Sequence, residues 1–130
     1  MPPRPLSPHL TIYRRLHTMV LSISHRISGL WLALGLVALV YWLMSAGAGE
    51  SEYERAVAVF SAWYIKALLL GWLAAFCFHL VNGLRHLLWD AGFGLEKMSA
   101  RVSARWVVAL ALTAFLAAAC VLFCVQRGAL

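Results

Sequence analysis

The chain has 130 residues, of which 63% are apolar and only 12% are charged, and its mean hydropathy is +0.80. A soluble domain of this size could not bury so much apolar surface, so the composition predicts one integral membrane domain in contact with the lipid bilayer. The formal charge of +6 does not indicate nucleic-acid binding, because the basic residues flank apolar runs and form no stripe interleaved with aromatic residues.

Residues 1–21 are polar to amphipathic, and all four prolines fall within the first eight of them. Proline removes a backbone donor and disfavours helix in the residue before it, so this beginning is predicted to be extended. The segment HLTIY at residues 9–13 is too apolar for a purely solvated tail. We therefore expect residues 1–21 to form an arm that docks on a partner protein.

Residues 22–130 are predicted to be an all-α membrane domain with three transmembrane helices. The first uncharged run, Ile27 to Gly49, carries aromatic residues near both ends, as membrane-spanning helices often do. An acidic loop follows it, and residues 53–64 are typical of a short amphipathic helix. The predicted spans cover about 26–47, 64–89 and 105–127.

The ends of the second and third spans are predicted from glycine and charge. Gly92 and Gly94 suit the C-terminus of the second helix, and a loop carrying Lys97 and Arg101 is expected to continue to Ala104. The third span contains no His, Asp or Glu, and its predicted role is packing.

Lys and Arg counts predict the orientation of the spans in the membrane. Eight of the eleven basic residues belong to the N-terminal segment or to the connection between the second and third spans. The positive-inside rule then places the N-terminus inside and the C-terminus outside. The beginning resembles neither a secretory signal nor a transit peptide, so if Met1 is the natural start, a bacterial inner membrane is favoured over the mitochondrial inner membrane.

His79 is the most informative residue of the second span. An ionisable side chain deep in a membrane helix indicates a functional site by default. His86 lies seven residues further, on nearly the same face, with Gly83 between them leaving a notch that could admit a flat cofactor. His79 could equally hydrogen-bond a neighbouring helix in a purely structural anchor.

If His79 ligates a haem, a second axial ligand must come from another chain. The other histidines are His9, His17, His25 and His86, which are N-terminal or at the edge of a span. A two-haem anchor would need four deep histidines, so this class is disfavoured. A small transporter is also disfavoured, since no repeat supports it.

The start of the first span carries a second polar group. Ser22, His25 and Arg26 are expected at the same membrane level as the end of the second span. They indicate either an ordinary charged border or a site for a ligand with carboxylate or carbonyl oxygens. The three cysteines, Cys77, Cys120 and Cys124, have no metal-binding spacing and are predicted to be free and buried.

Three sequence blocks together resemble one protein family. They are RPLSPHLTIY at residues 4–13, SISHRISG at 22–29 and HLVNGLRHLLWD at 79–90. In this order they resemble the signatures of the cytochrome b membrane-anchor subunit of succinate dehydrogenase, the last two as S-x-x-H-R-x-[ST]-G and H-x-x-x-G-x-R-H-x-x-x-D. The third span resembles the family only in kind.

The resemblance implies a haem b shared with a second small membrane-anchor subunit. His79 would be the axial ligand from this chain, and the partner would supply the other. His25 and Arg26 match positions near the haem propionates, and His86 matches a histidine at the inner end of the span.

The resemblance also implies a quinone site and further partners. Ser22, Arg26 and Asp90 match quinone-site positions, with ubiquinone as the substrate. Residues 1–21 would face an iron–sulfur subunit that works with a flavoprotein subunit. Electrons from succinate would pass through iron–sulfur clusters to the quinone, so this chain alone is not expected to oxidise succinate.

Overall fold

Three long apolar helices dominate the computed structural model, which describes residues 17–128. No strand occurs within that range. The helices are α1 (His17–Ala48), α2 (Glu50–Ser61), α3 (Trp63–Asp90) and α4 (Lys97–Gly128). Because α1, α3 and α4 are each long and apolar enough to cross a membrane, the predicted three-span, all-helical fold is confirmed.

The helices extend beyond the predicted spans at several ends. α1 begins at His17, so residues 17–21, which we assigned to the arm, are helical. The prediction for residues 1–16 lies outside the described residues. The predicted loop up to Ala104 is wrong in its second half, since α4 already begins at Lys97. Charged residues end an apolar run but not a helix, because water and lipid headgroups solvate them while backbone hydrogen bonding continues.

The connection between α1 and α3 is also helical. Gly49 adopts φ 117°, in the region that favours glycine, and separates α1 from α2. The predicted amphipathic helix is present as α2, but it ends at Ser61, and the extended Ala62 (ψ 136°) separates it from α3. Glu50 and Glu52 occupy the first turn of α2, where negative charge is favourable.

Gly92 ends α3 as the sequence predicts. Its φ of 85° turns the chain, and its amide donates to the carbonyl of Trp89 at 2.9 Å. The amide of Phe93 donates to the carbonyl of Leu88 at 2.9 Å. These two bonds form a Schellman motif, which satisfies carbonyls that the helix end leaves free.

α1, α3 and α4 pack with a small core at one end of the bundle. Leu21, Ala104 and Val107 are buried there against Phe78 and Val81. We call this the histidine end: it holds the start of α1, the end of α3 and the start of α4. Most other large apolar side chains are exposed, as expected for helices that face lipid or other membrane subunits.

Glycine lets α1 approach α3 closely. A Cβ at Gly35 would lie 3.0 Å from the Trp72 ring, whose Nε1 donates to the carbonyl of Trp31 at 3.0 Å. An apolar cavity of about 290 Å³ adjoins this contact and extends to Phe60. Small residues at such contacts are common in membranes, where no hydrophobic force drives helices together.

The cysteines are free, as predicted, but only one is buried. Cys77 is buried in α3, whereas Cys120 and Cys124 are exposed on α4. The prediction of burial is wrong for these two because the apolar surface of a membrane helix faces lipid as often as protein.

Candidate functional site

His79 lies against the backbone of α1. A Cβ built on Gly29 would be only 2.9 Å from Cε1 of His79, closer than such atoms approach in real proteins. Glycine at position 29 is therefore what admits the imidazole between the two helices.

The hydrogen bonds of His79 determine which ring nitrogen carries the proton. Nδ1 lies 3.1 Å from the carbonyl oxygen of His25 and 3.0 Å from Oγ of Ser28. A carbonyl can only accept, so Nδ1 is the donor and Nε2 keeps its lone pair. Metal-ligating histidines usually donate their other ring N–H to a carbonyl or carboxylate in this way.

Three of the predicted site residues come together as a cluster of imidazoles. The rings of His25 and His79 stack with centroids 3.9 Å apart and an angle of 11° between their planes. His86 lies 5.2 Å from His25. The notch that we predicted beside Gly83 receives the ring of His25, with a built Cβ 3.7 Å from its Cε1.

This donor set fits a haem better than a bare metal ion. Among residues 17–128, no group of three or more His, Cys, Asp or Glu side chains could hold an ion. A porphyrin brings its own four nitrogens and needs only axial ligands. His79 offers one free nitrogen, whereas His25 cannot face it across a porphyrin, because the two rings lie face to face with no room for a plane between them.

The predicted quinone residues all lie at the histidine end, on α1 and α3. Ser22 is half-buried in α1, and Arg26 and Asp90 are exposed. Within residues 17–128, no hydrogen bond or ion pair joins these three side chains. A pocket built from them would need walls from another subunit.

Sequence reasoning missed the role of Ser28. Its hydroxyl donates to the carbonyl of His25 at 2.8 Å and touches Nδ1 of His79. The motif S-x-x-H-R-x-[ST]-G contains this position, which was the available signal.

Arg85 is also placed differently from the charged border that the sequence suggested. It is only 5% exposed and lies between α3 and α4. Its Nε donates to Oγ of Ser103 at 2.9 Å and its Nη2 to the carbonyl of Ala100 at 2.9 Å. The guanidinium also stacks 3.9 Å from the ring centroid of Trp89, four residues further on the same face. Arg85 thus links the histidine end of α3 to α4 by two hydrogen bonds.

Known proteins resemble this chain over most of its length. The family of succinate dehydrogenase/fumarate reductase transmembrane subunits matches residues 1–118. The succinate dehydrogenase cytochrome b556 subunit of Paracoccus denitrificans is 40% identical over 106 residues, which is 82% of each chain. The cytochrome b560 subunit of Marchantia polymorpha is 39% identical and covers 88% of this chain and 85% of its own. The cytochrome b556 subunit of Rickettsia prowazekii is 37% identical and covers 81% of this chain and 82% of its own.

Proposed function

Because this chain belongs to the family of succinate dehydrogenase/fumarate reductase transmembrane subunits, we propose that it holds a b-type haem through Nε2 of His79. The observation that carries the proposal is the commitment of Nδ1 to two acceptors on α1, which leaves Nε2 with its lone pair. A haem bound there supplies a one-electron carrier within the membrane. A second ligand would come from a partner subunit, since the ring of His25 stacks 3.9 Å from that of His79 and leaves no space for a haem between them.

The bridge that His79 makes to α1 does not compete with ligation. It uses Nδ1, whereas ligation uses Nε2. The alternative role, in which His79 hydrogen-bonds a neighbouring helix, is therefore compatible with haem ligation. The ring of His25 stacks 3.9 Å from that of His79, and His86 lies 5.2 Å from His25. Together with the exposed Arg26, these two would supply positive or hydrogen-bonding groups for the haem propionates.

The quinone site is proposed at the histidine end of the bundle. The Ser22 hydroxyl donates to a carbonyl oxygen of ubiquinone, and Arg26 stabilises the negative charge that the quinone gains as it is reduced. Asp90 borders the pocket. Arg26 is exposed and so can reach a ligand between this chain and its partners.

The chain functions within a complex with other succinate dehydrogenase subunits. We propose that these are a second small membrane anchor, an iron–sulfur subunit and a flavoprotein. The flavoprotein would oxidise succinate, and iron–sulfur clusters would carry its two electrons to the quinone, which would take up two protons to become quinol. The segment that precedes α1 would lie against the iron–sulfur subunit in this arrangement.

The proposed membrane is the bacterial inner membrane, with the histidine end inside. Relatives from Paracoccus and Rickettsia support a bacterial setting, and the three long apolar helices support a multi-pass protein. The described basic residues support the orientation, since five of the eight lie at the histidine end: Arg26, Arg85, Lys97, Arg101 and Arg105.

The ligand assignment is tested in the purified complex by a reduced-minus-oxidised absorbance spectrum. His79→Ala should abolish the b-type spectrum of this haem. His17→Ala, which alters an exposed histidine at the first turn of α1, should preserve it. Co-purification of the other subunits with this chain shows that the complex has assembled. An unchanged spectrum in His79→Ala would refute ligation.

A further inference from the structure

Ser28 is the one hydroxyl in contact with the ring of His79 among residues 17–128. It is 7% exposed and lies on α1, next to the glycine that admits the imidazole. We propose that Ser28 is a positioning residue that holds the Nδ1–H tautomer of His79 and tunes the iron bound at Nε2. The inference rests on the proposed haem function.

The carbonyl of His25 is crowded with donors. It accepts the Ser28 hydroxyl at 2.8 Å and lies 3.1 Å from Nδ1 of His79. By helix geometry it also accepts the amide of Gly29, four residues later. A carbonyl oxygen has two lone pairs, so three donors exceed its full capacity.

The Ser28 oxygen supplies the missing acceptor. Its own proton is directed to the carbonyl of His25, so towards His79 it can only accept. At 3.0 Å it is slightly closer to Nδ1 than the carbonyl is. The Nδ1 proton is therefore shared between two acceptors, and Ser28 Oγ is the one with lone pairs to spare.

Ser45 is a second buried serine on α1, and within residues 17–128 its hydroxyl bonds only its own helix. It is also 7% exposed and donates to the carbonyl of Tyr41 at 2.9 Å. Within the part of the chain that the structure describes, it contacts no histidine. A buried serine that merely satisfies its hydroxyl on its own helix would resemble Ser45, so Ser45 is the matched control.

The expected consequence is a shift in reduction potential. An acceptor at Nδ1–H makes the imidazole a more basic ligand, which favours the oxidised iron. In Ser28→Ala, Nδ1–H loses the shorter of its two contacts and keeps only the carbonyl of His25 at 3.1 Å, so the haem should remain bound through a less basic imidazole. The midpoint potential should rise by at most about 59 mV, which corresponds to a change of about tenfold in the one-electron redox equilibrium constant.

The experiment is a redox titration of the haem absorbance in the purified complex at fixed pH. Ser28→Ala should raise the midpoint potential, whereas Ser28→Thr, which keeps the hydroxyl, and Ser45→Ala should match the wild type. An unchanged potential in Ser28→Ala, or an equal shift in Ser45→Ala, would overturn the proposal. If the Ser28→Ala complex loses its haem, the Ser28→Thr complex tests the proposal instead. Wild-type haem content and midpoint potential in Ser28→Thr would support the role of the hydroxyl, and loss of either would refute it.

This outcome is separable from failure of the haem proposal. A complex that keeps its spectrum in His79→Ala refutes the ligand assignment itself. A complex that loses its spectrum in His79→Ala, yet shows no shift in Ser28→Ala, refutes only the role of Ser28.

Discussion

Gly29→Ala should displace His79, the proposed haem ligand, through the contact of one added methyl group. The added Cβ would lie 2.9 Å from Cε1 of His79, about 0.6 Å short of the ~3.5 Å at which carbon atoms pack favourably. A shift of that size away from α1 would stretch the Nδ1 contacts from 3.0 and 3.1 Å to roughly 3.6 and 3.7 Å, beyond hydrogen-bond length. Overpacking of this kind costs about 1–3 kcal/mol, offset by up to about 1 kcal/mol from the better helix propensity of alanine.

Alanine variants of two other glycines are controls for a general disturbance of helix packing. Gly35→Ala creates a similar overlap, 3.0 Å to the ring of Trp72, but far from His79. Gly71→Ala on α3 meets nothing within 4 Å. Haem content per assembled complex should fall in Gly29→Ala and remain normal in the other two. Normal haem content in Gly29→Ala, or equal loss in Gly35→Ala, would show that close approach at Gly29 does not hold the ligand.

Two further predictions concern the arginines of the histidine end. Arg26→Leu should raise the KM for quinone or abolish quinone reduction while succinate oxidation by an artificial dye continues. Arg101→Leu, which alters an exposed arginine of α4, should leave both rates unchanged. Normal quinone kinetics in Arg26→Leu would count against the site. Arg85→Ala removes a buried guanidinium and its bonds to Ser103 and Ala100, so the complex should lose about 2–3 kcal/mol of stability and melt at a lower temperature than Arg101→Ala. Equal Tm values for these two variants would mean that Arg85 does not fasten α3 to α4.

The membrane architecture could be predicted because it depends on long uncharged runs. A span must offer the bilayer about 20 apolar residues, and that requirement is visible in the sequence alone. The helix ends were less predictable. His17 and Lys97 begin helices outside the apolar runs, because hydropathy reports the thickness of hydrocarbon and not the length of the helix.

His79 could be singled out for the same reason, since an ionisable residue well inside an uncharged apolar run is conspicuous. Ser28 could not. Serines in membrane helices commonly bind their own backbone, as both Ser28 and Ser45 do, so sequence cannot tell which of them also faces a partner. Similarly, an arginine near the end of a span can reach water or turn between helices, and Arg85 does the latter.

The sequence by itself determined the three spans, the glycine that ends α3 and the position of His79 within the second span, because each follows from local composition and backbone preference. Only the tertiary structure decided which ring nitrogen of His79 is free, because that depends on how α1 and α3 are rotated against each other. In the observed packing α1 approaches His79 closely at Gly29, and the carbonyl of His25 and the hydroxyl of Ser28 face Nδ1.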